Sequence, residues 1–134
     1  MSINAQGKYT VGLREVDLAF SFPVVGTTVG TTNPDRCPKR LAATTITYAA
    51  TGVYTLVIPM TFTAGLPYAI ILQAQADVAG DVFQVHPVGE ATQSGGNLTV
   101  VVQCVDYTGA AVAPAVHAGS RINVLLVGSD TGGK

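Results

Sequence analysis

The stretch Val53-Tyr-Thr-Leu-Val-Ile-Pro-Met-Thr-Phe62 decides the fold class of this chain. Its even-numbered side chains are all apolar, whereas its odd-numbered ones include two threonines and a proline. This period of two is typical of a strand with one buried face. Because Pro59 has no N–H to donate, we expect this strand to lie at a sheet edge or to carry a bulge there. The side chains predicted to face the core are Tyr54, Leu56, Ile58, Met60 and Phe62.

The same alternation recurs in both directions along the chain. In Val16–Val24 it directs Leu18, Phe20 and Phe22 inward, and in Tyr68–Asp77 it aligns Tyr68, Ile70, Leu72, Ala74 and Ala76. Two further runs, Leu98–Val105 and Ile122–Val127, are apolar on both faces. Such strands are either central in a covered sheet or part of a contact between subunits, and we expect their outer faces to lie in contacts between sheets or copies.

Turn-forming residues separate the strand-like runs, and no window has helix formers at the spacing of a helix. The pattern predicts an all-β, single-domain antiparallel β-sandwich or jelly roll of about eight strands. We expect this domain to span residues 1–134, with residues 1–8 and 129–134 as terminal arms. The first seven residues carry no core pattern, and we expect a partner to order them.

The composition restricts the function. Only 11% of the residues are charged against 48% hydrophobic, whereas about a quarter charged is usual. Either uncharged polar residues supply the missing surface polarity, or another protein covers part of the surface. A formal charge of −1 gives no general attraction to nucleic acid or to an anionic membrane, so we expect neither as a partner. No run predicts a membrane helix or a secretory signal, which indicates synthesis in a reducing cytoplasm.

No motif for chemistry stands out. The chain has no nucleophile elbow, phosphate-binding loop, paired cysteines or paired histidines at ligand spacing, so we expect no enzyme and no cofactor or metal. A cupin-type metal enzyme would need clustered His and Glu, but the histidines are His86 and His117 and the glutamates are Glu15 and Glu90. Cys104 is expected to be a buried thiol. Three aspartates, Asp77, Asp81 and Asp106, are expected to cap turns rather than bind calcium.

The one local charge cluster is Asp35-Arg-Cys-Pro-Lys-Arg40, which has three basic residues in a short segment. Its cations, Arg36, Lys39 and Arg40, are the candidate contact with an acidic partner surface. The alternative is an ordinary solvated loop, because exposed charges usually contribute little.

Four features together resemble a known family: Ala50-Thr-Gly-Val-Tyr54, Gln73-Ala-Gln75, Asp106-Tyr-Thr-Gly109 and the closing Arg121-Ile-Asn-Val-Leu-Leu-Val127. The chain resembles the head decoration, or cement, proteins of tailed phages, which have a jelly-roll fold, and more distantly the trimeric jelly rolls of the TNF and C1q groups. The resemblance implies no catalytic or ligand residues.

The resemblance implies a structural virion protein that stabilises a phage head by binding the major capsid protein across subunit joints. It further implies a homo-oligomer, dimer or trimer, on the capsid exterior, made in the host cytoplasm. The alternative is a binding module of a phage tail or fibre that recognises a host glycan or protein. Only Tyr107 beside Asp106 comes near the pattern of a glycan site.

Overall fold

A computed structural model describes residues 15–24, 30–49, 52–62, 65–112 and 119–129. Within these ranges the chain forms nine strands and two short turns of 3-10 helix, at Lys39–Leu41 and Ala79–Asp81. None of the helical turns described has the length or apolar character needed to cross a bilayer. The strands are β1 (Glu15–Pro23), β2 (Gly30–Thr32), β3 (Thr45–Ala49), β4 (Val53–Ile58), β5 (Ala69–Gln75), β6 (Gln84–Pro87), β7 (Thr92–Ser94), β8 (Asn97–Val105) and β9 (Arg121–Ser129).

The described strands form two antiparallel sheets. One has three strands in the order β1-β9-β5, and the other runs β2-β3-β4-β8-β6 with β7 also paired to β8. The chain passes from one sheet to the other four times, between β1 and β2, between β4 and β5, between β5 and β6, and between β8 and β9. The predicted all-β antiparallel sandwich is therefore confirmed, with nine described strands where about eight were expected.

The core lies between the two sheets and follows the predicted alternation. Leu18, Phe20 and Phe22 of β1 are buried, as are the predicted core residues of β4. The Phe22 ring lies 5.5 Å from the Tyr54 ring, centroid to centroid, so this contact joins the two sheets across the core. Met60 is only half-buried but packs against the same core.

The expectation for Pro59 was wrong. The strand containing Tyr54 does not lie at an edge, because β4 pairs with β3 on one side and with β8 on the other. It ends at Ile58, and Pro59 is an exposed bend just beyond it. Since the strand stops before the proline, the missing N–H removes no ladder hydrogen bond.

The two strands that are apolar on both faces lie inside their sheets. β8 is flanked by β4 and by β6 and β7, and β9 lies between β1 and β5. Their inner faces are buried in the core, and on their outer faces Val101 and Leu125 are half-buried. Both strands are therefore central in their sheets, and the contact of their outer faces with another copy stays a prediction.

The predicted alternation in β5 is confirmed only in part. Ile70, Leu72 and Ala74 face the core but stay half-buried, and Tyr68, which precedes the strand, is 63% exposed. Ser129, the first residue of the predicted C-terminal arm, is instead the buried last residue of β9. Residues 1–8 and 130–134 of the predicted arms lie outside the described residues.

Candidate binding surfaces

A chain of polar side chains crosses the outer face of the three-stranded sheet. Arg121 donates to both carboxylate oxygens of Asp35, with Nη1 3.2 Å from Oδ2, and its Nε donates to Ser21 Oγ at 2.9 Å. Ser21 Oγ donates to Asn123 Oδ1 at 2.7 Å, and Asn123 Nδ2 donates to Gln73 Oε1 at 2.8 Å. We call these five residues the cross-strand polar network. It connects β1, β9 and β5 to the loop that contains Asp35.

The network is anchored by a buried cation. Only 4% of the Arg121 side chain is exposed, whereas half of the Asp35 side chain is. Hydrogen bonding to the Arg121 guanidinium and its positive charge hold the pKa of Asp35 below its ordinary value, because both favour the carboxylate. A backbone bridge joins the same loop to β1, since Ser21 N donates to Arg36 O at 2.8 Å. Two independent contacts therefore fix the backbone of the loop on the sheet.

A shallow groove of about 570 Å³ lies beside the network. Its floor is apolar and includes Ala19, Leu125 and Ile71, of which Ile71 is 51% exposed. Polar network residues form one part of the rim, and Arg36 lines the groove from the fixed loop. The groove thus offers an apolar floor beside a cation, which suits a partner segment with apolar and acidic side chains.

The three predicted contact residues lie close together in the fold. Arg36, Lys39 and Arg40 are all exposed, and Lys39 and Arg40 begin the 3-10 turn Lys39–Leu41. Leu41 at the end of this turn is fully buried, which anchors the turn to the core. Of the three cations, the structure places Arg36 alone on the groove.

A second surface lies where β5 and β6 face each other across the edge of the sandwich. Two hollows, of about 390 and 330 Å³, separate these strands. Three of the seven large apolar side chains that are exposed among the described residues, Leu66, Tyr68 and Ile71, lie on β5 or just before it. We call this surface, formed by β5, β6 and Leu66–Tyr68, the open side. Exposed apolar clusters of this kind mark contacts with other molecules.

The remaining candidates from the sequence are accounted for by local structure. Asp106 Oδ1 accepts hydrogen bonds from the amide and hydroxyl of Thr108 and from the amide of Ala110. These bonds, those of Thr108 first, lower the pKa of Asp106, so this aspartate caps its own turn as predicted. Asp77 lies two residues beyond β5, where its backbone amide donates to Ser120 Oγ. Asp81 ends the 3-10 turn Ala79–Asp81.

The cysteines and histidines do not form a cluster in the described part of the chain. Cys37 and Cys104 are both free, and burial raises the pKa of the Cys104 thiol to about 12, so this thiol stays protonated at neutral pH. His86 is exposed on β6, with its Nε2 3.3 Å from Gln84 Oε1. His117 lies outside the described residues. Within the described ranges, no group of three or more His, Cys, Asp or Glu side chains is placed to hold a metal ion.

Sequence reasoning missed the pairing of Asp35 with Arg121. The two residues are 86 positions apart, and no spacing rule connects them. One signal was present, because Arg121 opens a strand that is otherwise almost entirely apolar. A cation in such a strand is rarely buried without a partner, so an acidic partner could have been expected.

Comparison of this chain with protein-family models, with curated proteins and with solved structures gave no match in any of the three.

Proposed function

We propose that this protein has a structural rather than a catalytic role, as a decoration protein that stabilises a phage head by binding the major capsid protein across subunit joints. It acts on the capsid exterior after synthesis in the host cytoplasm. The observation that supports this proposal best is the groove, in which an apolar floor lies beside Arg36 on a loop fixed by the ion pair between Asp35 and the buried Arg121.

The groove suits adhesion by burial. Its floor comes from strands of one sheet, and the cross-strand polar network holds these strands and the Arg36 loop together, so little conformational entropy is lost when a partner docks. Covering its apolar floor contributes about 25 cal/mol for each Å² removed from water. A small stabilising free energy for each bound copy adds up to a large one for a shell that binds many copies.

The basic residues favour one face of the protein for contact with an acidic partner. Arg36, Lys39 and Arg40 concentrate positive charge on one short segment of a chain whose formal charge is −1. Charge of one sign beside an apolar groove increases the rate and specificity of association with an acidic surface more than it increases affinity. We therefore expect the partner surface on the shell to be acidic.

The test is co-sedimentation of the purified protein with undecorated phage heads. We expect saturable binding at a fixed number of copies per head. The double variant Lys39→Gln/Arg40→Gln should bind at least about tenfold more weakly at low salt, a difference that narrows as salt screens the charges. Ile71→Lys, which places a charge in the apolar groove, should also weaken binding.

The matched control is Thr92→Glu/Ser94→Glu on β7, where both residues are exposed. This variant changes the net charge by the same amount as the double variant but at a distant strand, so it should bind heads like the wild type. Binding to whole host cells without binding to heads would overturn the proposal in favour of a tail or fibre module. Equal loss in the test and control variants would exclude the basic segment as the contact.

A further inference from the structure

The hollow of about 330 Å³ on the open side combines apolar walls with one acidic residue. On one side it is lined by Leu66, Pro67 and Tyr68, which lead into β5. On the other side it is lined by Pro87, the last residue of β6, and by Glu90. Leu66 is 42% exposed and Tyr68 is 63% exposed, so the hollow presents apolar surface to solvent. The fold thus brings Tyr68 and Glu90 from separate segments of the chain to one small hollow.

Both sides of the hollow are held by backbone hydrogen bonds and by the core. Tyr68 N donates to Val127 O at 2.6 Å, which ties the first side to β9. Val88 N donates to Val101 O at 2.8 Å, which ties the second side to β8. Ala91, which also lines the hollow, is buried in the core. Since these segments are already ordered, little conformational entropy is lost when a ligand enters.

The charge of the lining restricts the kind of ligand. Glu90 is exposed, and it is the only charged residue among the described residues that line the hollow. An anionic ligand would be repelled, and a purely apolar one would cover the carboxylate without giving it a partner, which costs free energy. An arginine or lysine side chain complements both parts of the lining, because it has an apolar stem and a cationic head. The face of a tyrosine ring such as that of Tyr68 also attracts a cation within about 6 Å.

We infer that a partner protein inserts an arginine or lysine side chain into this hollow. The stem packs against Leu66 and Pro67, and the cation pairs with Glu90 beside the Tyr68 ring. The inference goes beyond the proposed function, because the groove assigned to the shell is lined by the cation Arg36 and has no lining residue in common with this hollow. The two surfaces therefore suit partner groups of opposite charge.

The test is a titration of the purified full chain, followed through its amide signals in two-dimensional NMR spectra. The probe is N-acetyl-arginine methylamide, used up to about 20 mM because a ligand this small binds weakly. We expect saturable shifts centred on the amides of Tyr68 and Glu90. N-acetyl-citrulline methylamide has nearly the same shape without the charge and should bind at least about fivefold more weakly. N-acetylglucosamine, a neutral sugar, should produce no saturable shift, because it brings no counter-charge to Glu90.

Two substitutions separate the charge from the ring. Glu90→Gln keeps the shape of the side chain and removes its charge. It should weaken binding of the arginine probe at least about fivefold and leave binding of the citrulline probe nearly unchanged. Tyr68→Leu keeps an apolar side chain without the ring and should weaken binding of the arginine probe more than binding of the citrulline probe.

The matched control is Asp17→Asn, which removes the same charge from an exposed position on β1. This variant should bind both probes like the wild type. The amide spectrum of each variant also shows whether it is folded.

Four results would overturn the inference: no saturable shift with the arginine probe, equal binding of the arginine and citrulline probes, a Glu90→Gln variant that still prefers arginine, or saturable binding of the sugar at the same amides. The last result would identify the hollow as a saccharide site instead.

The proposed function is read separately, from head binding. Lys39→Gln/Arg40→Gln, which should weaken head binding, should bind the arginine probe like the wild type. A protein that binds heads but not the probe would keep the decoration role and lose the hollow as a site, whereas a protein that binds the probe but no head would do the reverse.

Discussion

At the scale of single residues, the Asp35–Arg121 pair contains the only charged side chain that is buried among the described residues. Removing a guanidinium from water carries a large free-energy cost, and Arg121 offsets it with hydrogen bonds to Asp35 and Ser21. Asp35 is itself half exposed, so solvent screens part of the attraction. The pair therefore contributes chiefly by leaving no buried charge without a partner, and by fixing the loop that contains Arg36.

Replacing Asp35 by Asn tests this role. The variant leaves the Arg121 guanidinium without its counter-charge, and we expect the free energy of unfolding at pH 7 to fall by about 1–3 kcal/mol. Because the folded-state pKa lies below the ordinary value of 3.8, the stabilisation is present above pH 3.8 and is lost as the pH falls through the folded-state pKa. Urea unfolding measured from pH 7 downward should thus show that the free energies of unfolding of wild type and variant become more similar below about pH 4.

The control for this experiment is Asp17→Asn, which removes the same charge from an exposed position on β1. It should change the free energy of unfolding by less than about 0.5 kcal/mol. The free energies of unfolding of wild type and of the Asp35→Asn variant could instead differ by the same amount over the whole pH series. That result would contradict the assignment of the effect to the ionised carboxylate.

At the scale of elements, two glycine turns illustrate what positive φ angles require. Gly95 and Gly96 form the two-residue turn between β7 and β8, with φ of 59° and 83°, as in hairpin turns that favour glycine. Gly52, with φ of 76°, precedes β4 and is buried. A Cβ at Gly52 would overlap the Val112 carbonyl oxygen, whereas one at Gly95 would meet nothing within 4 Å.

The pair Gly52→Ala and Gly95→Ala separates backbone strain from steric overlap. Both variants place alanine in the left-handed region, which costs about 1 kcal/mol. Gly52→Ala adds a clash with backbone that must shift, so we expect it to lose about 1–3 kcal/mol more. Thermal unfolding of both proteins measures the difference. Equal losses would show that the close approach of Val112 to Gly52 does not constrain the fold.

The sequence predicted which segments form strands better than it predicted which strands and residues pair with each other. Alternation identified the inward faces of β1 and β4, because burial of one face imposes a period of two on any strand. It misplaced Pro59 and the position of β4 in the sheet, because a proline restricts only the strand that contains it and β4 ends one residue earlier. Pairing partners such as Asp35 and Arg121 depend on how distant segments meet, which local periodicity does not encode. Charge clustering also predicted Arg36 as a contact residue. Arg36 lines the groove, and its contact with a partner stays a prediction.

At the scale of the whole molecule, the core and the exposed side chains of the proposed binding surfaces are distinct. The buried side chains of both sheets form one cluster, which includes Phe22 from the three-stranded sheet and Tyr54 from the larger one. Ile71 in the groove and Tyr68 on the open side are exposed and do not belong to that cluster. Surface substitutions such as Ile71→Lys should therefore change association with little effect on stability, and core substitutions should do the opposite.

Phe22→Ala tests whether the two sheets unfold as one unit. Removing a fully buried ring that contacts Tyr54 should cost about 3–5 kcal/mol, because it loses apolar burial and leaves a cavity between the sheets. Far-ultraviolet dichroism follows both sheets, and the near-ultraviolet signal includes the buried Tyr54 ring, which lies in the larger sheet. If the core is a single cooperative unit, the two urea transitions coincide in wild type and shift together in the variant.

Tyr107→Ala, at a side chain that is 94% exposed, should leave both transitions in place. Two separated transitions would mean instead that each sheet carries its own stability and that the Phe22–Tyr54 contact does not couple them.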